Sequence, residues 1–261
     1  MVHARDSGYS TLLTYGGAFS NHIFATAAAG REFGFDTIGI IRGEEHLPLN
    51  PTLEFASGQG MQLIYLSRTD YRKKHLPEFT EWIRNKFGNV HIIPEGGTNS
   101  LAVKGCGEIL MPMKDDFDIL CTSCGIAGTI SGLIVRSNGE KKILGFSALR
   151  GGLFLVKNTE QLIADFTENN FYNWSINLDY HFGGYAKINR DLILFIKQFE
   201  EINGIPLDPI YTGKMMYGIY DLTKKGFFNE GKTIIALHTG GLQGVEGMRE
   251  KMNAFLSNKV R

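Results

Sequence analysis

Residues 117–133 read FDILCTSCGIAGTISGL. The first half, FDILCTS, carries apolar residues at successive positions rather than in alternation, the pattern of a strand covered on both faces. A glycine-rich turn follows at once, and a helix is expected from about Gly128 with Thr129 in its first turn. A buried strand that feeds a helix through such a turn is the unit of an α/β sheet. The amides at the head of that helix are free to meet an anion, and the helix dipole favours negative charge there. The stretch is not a Walker loop, because GxxxxGK[ST] is absent, and it is not GxGxxG. From these residues alone it reads either as a phosphate cradle or as a tight strand-to-helix turn without a ligand.

Working outward, the same alternation recurs. Before this stretch, TLLTY, TIGIIRG, MQLIYLS and VHIIPEGG read as strands, separated by the helical stretches NHIFATAAAGREFG, TLEFASGQG and LPEFTEWIRNKFG. A helix is expected over Leu101–Met111, a strand at KILGFSA, helices at LILFIKQFEEING and around Lys214–Gly226, and a strand TIIALHT before a last helix. The pattern predicts an α/β protein of two open, mostly parallel sheets with helices on both faces. The segment PEGGTNS places a boundary near residue 96, giving a smaller α/β domain over 8–95 and a larger one over 96–261. Residues 151–190, crowded with aromatics and asparagines, read as the least regular part, a lid or substrate wall.

Composition narrows the function. Lysine plus arginine and aspartate plus glutamate number 27 each among 261 residues, so there is no basic field to attract nucleic acid. The longest uncharged run, Ile119 to Val135, is too short and polar to span a bilayer, and the N-terminus has no secretory pattern. Cys106, Cys121 and Cys124 are too few for a disulfide framework, and neither they nor the seven histidines show metal-ligand spacing. The expectation is a cytoplasmic protein with no metal, nucleic acid or membrane partner. Its 32 glycines cluster in GG and GxxG steps, which favours sites made by close backbone approach.

Three further motifs carry chemistry. In GGAFSNH (16–22), Ser20 or Asn21 caps the helix that the alanines propagate, with Gly30 or Gly34 to end it; Gly17, Ser20 and Asn21 also suit an anion or planar ring at the helix N-terminus. LDPIYTGKMMYG (207–218) places Tyr211, Thr212 and Lys214 where a loop enters a helix. LHTGGLQG (237–244) ends a strand with His238, Thr239 and two glycines, at the sheet end where ligands of open α/β sheets bind. His238 alone reads as a packed histidine rather than a base.

Taken in order, GGAFSNH, IPEGGTNS, SCGIAGTISGL, LDPIYTGK and HTGG resemble the pyridoxal-phosphate enzymes of the 1-aminocyclopropane-1-carboxylate deaminase and D-cysteine desulfhydrase family, over nearly the whole chain. The resemblance implies the tryptophan synthase β-like fold, pyridoxal 5′-phosphate as cofactor, a small amino acid as substrate, ammonia as product and a homodimer. It assigns the cofactor phosphate to Gly125, Ala127, Gly128 and Thr129, the phenolic oxygen to Asn21 and the pyridine nitrogen to Thr239. A hydroxyl facing that nitrogen makes a moderate electron sink, suited to elimination at the β-carbon. Ser20 falls beside the substrate, and Tyr211 near the reacting carbons as a candidate acid or base whose phenol pKa would have to be lowered. Where deaminases proper carry a glutamate after that tyrosine, this chain has Thr212, as in the desulfhydrase-like branch.

The family also links its cofactor to a lysine in an N-terminal GNK segment. Only 19 residues precede Ser20 and none is a lysine. The resemblance therefore implies a chain lacking the first strands and the catalytic amine, a weak cofactor binder with little turnover, and Lys214 as the nearest substitute. A nucleotide-binding α/β module is the rival from outside the family, disfavoured by the missing fingerprints.

Overall fold

A computed structural model describes residues 1–114 and 116–257, so the last four residues of the expected 96–261 domain lie outside the described part. The chain divides into two compact units, Met1–Gly97 and Thr98–Arg261. Each is built around a four-stranded sheet whose neighbouring strands all run parallel.

The first unit runs α1 (Val2–Asp6), β1 (Thr11–Gly17), α2 (Asn21–Phe33), β2 (Asp36–Arg42), α3 (Pro51–Gly58), β3 (Gln62–Leu66), α4 (Arg68–Arg72), α5 (Pro77–Phe87) and β4 (His91–Ile92). Its strand order is β3-β2-β1-β4. Side chains alternate across the sheet: Leu13, Tyr15, Ile38 and Ile40 pack with Tyr71 and Ile83 of α4 and α5, while Ile41 packs on the other face with Ile23, Ala27, Leu53 and Ala56 of α2 and α3. Both faces are thus apolar, which is why these strands read as unbroken hydrophobic runs. Gly39 sits where α2 and α3 crowd the sheet, and a Cβ there would stand 2.7 Å from Met61 Sδ.

The second unit contains α6 (Ser100–Gly107), β5 (Ile119–Cys124), α7 (Gly128–Ser137), β6 (Lys142–Ser147), α8 (Leu153–Phe166), β7 (Trp174–Asn177), α9 (Arg190–Asn203), α10 (Thr212–Lys224), β8 (Ile234–Ala236) and α11 (Gln243–Leu256). The strand order is β7-β6-β5-β8. Leu120 and Ile143 bury against α7 and α8, whereas Ile119, Cys121, Leu144 and Phe146 bury against Met215, Ile219 and Leu222 of α10. The two parallel sheets with helices on both faces are the architecture that the strand-helix alternation predicts.

Residues 151–190 depart from expectation. They hold the 14-residue helix α8 and the strand β7, which pairs in register with β6. Leu155, Thr159 and Ile163 recur every fourth position and form the buried stripe of α8. That periodicity was present in the sequence beside the more conspicuous asparagines and aromatics.

Candidate active site

The turn that follows β5 is the candidate anion site that the sequence singles out. Strand β5 ends at Cys124, whose carbonyl accepts the N–H of Ala148 at 2.9 Å, and Gly125 begins the turn. Helix α7 starts at Gly128 with Ala127 at the cap position and no side chain satisfying its first amides. Among the described residues, the first amide of this helix head with an acceptor is that of Ser131, which donates to Ala127 O at 3.0 Å. The N–H groups of Gly125, Ile126, Ala127, Gly128 and Thr129 have no backbone or side-chain acceptor among the described residues. The first amides of a helix have no intrahelical partner, and a run of them at a glycine-rich helix head is suited to an anion, which makes this turn the candidate.

The surroundings explain the glycines. A Cβ on Gly125 would stand 2.6 Å from Cε1 of Tyr211, and one on Gly128 would stand 3.3 Å from Oγ1 of Thr98. Thr98 Oγ1 is itself buried without a partner, beside the head of α7. The sequence did not single this threonine out; its position directly after the glycine pair Gly96–Gly97 was the available signal. Thr129, the predicted hydroxyl of the turn, is half-buried, with Cys106 Sγ 4.0 Å from its Oγ1.

Tyr211 is set by Asp208. The Asp208 carboxylate, 1% exposed, accepts the N–H groups of Ile210 and Tyr211 at 2.8 Å on one oxygen, and the N–H and hydroxyl of Thr212 at 2.9 and 2.6 Å on the other. It thereby caps α10 and fixes the entry angle that lays Tyr211 over Gly125. Burial pushes the Tyr211 phenol well above the ordinary tyrosine value, and the neighbouring Tyr185 and the Asp208 carboxylate push it further the same way. Without a cofactor beside it, Tyr211 is held protonated, because desolvation opposes the phenolate. Tyr185, whose ring meets that of Tyr211 edge-on at 6.2 Å between centroids, is a second aromatic hydroxyl that only a general remark on its segment anticipated.

Lys214 is not a free amine. It is 1% exposed, and its Nζ donates to the carbonyls of Ala148, His181 and Gly184 at 3.3, 2.9 and 2.8 Å. Burial pulls the ammonium down to about 8, against the raising influence of Asp208. Its place in the tyrosine motif follows from this cage. Thr239 lies exposed in the loop after β8. His238 is likewise exposed, not packed, with Nε2 directed to Pro206 O at 2.9 Å and Nδ1 accepting from Gly240 N–H at 3.0 Å. Parallel pairing of β8 and β6 with β5 gathers Gly125–Thr129, Ala148 and the Thr239 loop at the carboxyl end of one sheet.

In the first unit, Ser20 caps α2 by accepting the N–H of Ile23 at 3.3 Å, and Gly34, at φ 70°, ends it. A Cβ on Gly16 would strike Ile23 Cγ1 at 2.5 Å and Ser20 Oγ at 2.8 Å, so only glycine lets the cap close on β1. Asn21 Oδ1 is buried with no partner. His22 is fixed next to it: Thr14 donates to Ile93 O at 3.0 Å, so its hydroxyl accepts from His22 Nε2–H at 2.7 Å, and burial lowers the imidazole pKa while Glu95 partly restores it. Glu95 is held by Tyr71 Oη at 2.8 Å and Lys74 Nζ at 3.2 Å.

Among the described residues no group of three or more His, Cys, Asp or Glu is gathered as a metal site, and no helix is long and apolar enough to cross a membrane. Cys106, Cys121 and Cys124 are free thiols.

No family model matches the chain. Its relatives are nonetheless clear. A Pyrococcus abyssi protein named for 1-aminocyclopropane-1-carboxylate deaminase is 32% identical, over 97% of this chain and 80% of its own length. A D-cysteine desulfhydrase of Klebsiella pneumoniae is 30% identical, over 90% of this chain and 77% of its own. The crystal structure of an ACC deaminase homologue superposes with a TM-score of 0.81 at 27% identity, covering 97% of this chain and 80% of that one. The chain therefore belongs to the family of 1-aminocyclopropane-1-carboxylate deaminases and D-cysteine desulfhydrases.

Proposed function

We propose that this chain is a pyridoxal-phosphate enzyme of the D-cysteine desulfhydrase kind, which removes the β-substituent of a small amino acid and releases ammonia. The observation that carries this reading is the head of α7, where the amides of Gly125 through Thr129 have no acceptor among the described residues. Pyridoxal 5′-phosphate fits the donors present. Its phosphate suits the amides and the Thr129 hydroxyl of the second unit; the family resemblance assigns its ring oxygen to Asn21, whose amide has a buried atom without a partner within the first unit. Thr239 is assigned the pyridine nitrogen. When bound, the cofactor would supply a sink for the electron pair left on carbon when a proton is removed from the substrate.

The protein's own groups set the rest. Tyr211, held protonated, acts as a proton donor toward the departing β-substituent rather than as the initial base. Ser20, at the N-terminus of α2, offers a hydroxyl and the helix dipole to the substrate carboxylate. Thr212 favours elimination over opening of a cyclopropane ring, since its hydroxyl is buried and committed to Asp208 and no carboxylate stands next to Tyr211 in sequence. Function in the cytoplasm, as a homodimer on a small amino acid, completes the proposal.

One observation favours a narrower reading, in which the chain holds the cofactor without turning it over: the Lys214 ammonium is committed to three carbonyls. The purified chain, loaded with pyridoxal phosphate and given D-cysteine, separates the two. Pyruvate, sulfide and ammonia in equal amounts support the enzyme. Cofactor binding with no product, and no lysine labelled after borohydride treatment, supports the narrower reading; absence of cofactor binding overturns both.

A further inference from the structure

Lys214, the lysine of the tyrosine motif, is 1% exposed, and the proposed chemistry gives it no role. An ammonium offers three tetrahedrally disposed N–H donors and no acceptor. Here it meets three carbonyls from two separate places in the chain: Ala148, just past β6, and His181 and Gly184 in the loop between β7 and α9. That loop is conformationally expensive. Phe182 and Ala186 have φ of 52°, and Gly183 and Gly184 have φ of 95° and 122°. Left-handed backbone at non-glycine residues persists only where the surroundings enforce it. The loop is anchored on α10 at two points, by Tyr180 Oη, which donates to Asp221 at 2.7 Å, and by Lys214. Between the residues that Lys214 grips and the next helix stands Tyr185, 52% exposed, with its ring against Tyr211.

We infer that Lys214 is a positioning residue: by gripping Ala148, His181 and Gly184 it holds the 181–186 loop on α10 and so keeps Tyr185 against Tyr211, one helical turn from its own Cα. The same grip on Ala148 steadies the strand end whose N–H holds Cys124 O, the residue before the phosphate turn. The requirement is for an ammonium in shape as well as charge. A planar guanidinium cannot direct three donors to three carbonyls around one point, so arginine should not substitute. The consequence for catalysis rests on the reading of Tyr211 as a proton donor; the structural consequence does not.

The test compares Lys214→Met and Lys214→Arg with the parent chain by hydrogen exchange over residues 178–189 and by spectrophotometric titration of the phenols, with Tyr211→Phe subtracted to isolate the Tyr211 step. In both variants exchange in this loop should rise at least about tenfold while β5 and α7 stay protected. The Tyr211 phenol should titrate at lower pH, because loss of Tyr185 admits water and removes a group that raises it. Mere loss of a nearby positive charge would move the phenol the other way. Unchanged exchange and an unchanged phenol, or full retention of both by Lys214→Arg, would overturn the inference. If the variants do not fold, amine acetylation of the parent chain decides: Lys214 should be the last lysine modified in the native protein, and labelling at the pace of exposed lysines would contradict the cage. Loss of activity in Tyr211→Phe with normal loop exchange would leave this inference intact, whereas an active Tyr211→Phe would remove only the catalytic reading.

Discussion

Gly125 and Tyr211 are locked to each other: a Cβ on the glycine would fall 2.6 Å from Cε1 and 3.2 Å from the hydroxyl of the tyrosine. The opening of the candidate phosphate turn and the candidate proton donor thus occupy adjoining space within one unit, and neither can change without the other. Gly125→Ala should leave the fold intact, because its φ is not in the left-handed range, but displace Tyr211 or the turn. We expect pyridoxal phosphate affinity, measured by absorbance titration, to fall by roughly tenfold or more, equivalent to about 1.4 kcal/mol. Affinity equal to that of the parent chain would show that the turn does not depend on this contact.

Asn21 supplies a prediction with two opposite signs. A buried polar atom without a partner costs free energy, on the order of 1–3 kcal/mol, until something pairs with it. Replacing Asn21 by Ala should therefore leave the melting temperature of the cofactor-free chain unchanged or slightly raised, while weakening cofactor binding. A variant that melts much lower without cofactor would assign Asn21 to the architecture of α2 instead.

Gly132 faces α6 so closely that a Cβ would lie 2.5 Å from Val103 O, a backbone atom that cannot swing aside. Gly132→Ala should destabilise the second unit by about 1–3 kcal/mol, as overpacked cores do. Denaturant unfolding reads this directly, and a neutral result would mean that the α6–α7 packing relaxes freely.

These sites differ in how far the sequence revealed them. The turn at Gly125–Thr129, the Ser20 cap and the Gly34 terminus were legible, because each is a local pattern in which residue type dictates backbone behaviour. Residues brought together over long separations were not. Lys214 reads from its own motif as a lysine entering a helix, and from the resemblance as the nearest substitute amine; only the fold supplies carbonyls 66, 33 and 30 positions away. Thr98 escaped for the same reason, and Tyr185 was legible only as part of the aromatic segment read as a lid or substrate wall. Asp208 stood inside the quoted tyrosine motif, yet its four accepted hydrogen bonds depend on the loop curling back over its own carboxylate. Helix α8 was missed through emphasis on composition when the four-residue spacing was the better guide.

The acid limb of stability should carry the mark of His22. Its folded pKa lies below the ordinary 6.5 because burial disfavours the imidazolium. The unfolded chain then binds more protons than the folded one between those two values, so the contribution is fully present above 6.5 and is lost as pH falls toward the folded value. His91 is lowered in the same direction and adds to the slope. His22→Gln should flatten the loss of stability below pH 6.5; a slope identical to the parent chain would place the histidine's protonation outside the folding equilibrium.

The three thiols should separate by reactivity. Burial raises Cys121 and Cys124 to about 12, leaving almost no thiolate at neutral pH, whereas Cys106 is raised by burial but partly eased by Thr129. An aromatic disulfide reagent should modify Cys106 first and the other two only on unfolding. Bound pyridoxal phosphate should slow the Cys106 reaction, since its Sγ is 4.0 Å from the Thr129 hydroxyl.

The central claim, that the amides of Gly125 through Thr129 hold the phosphate of pyridoxal 5′-phosphate, is tested most directly by phosphorus NMR of the cofactor titrated into the parent chain and into Thr129→Val. The account predicts a bound phosphate resonance in the dianionic state for the parent chain, competed by inorganic phosphate, and weaker binding in the variant. A cofactor that binds with its phosphate resonance unperturbed, or equally well to both chains, would contradict it.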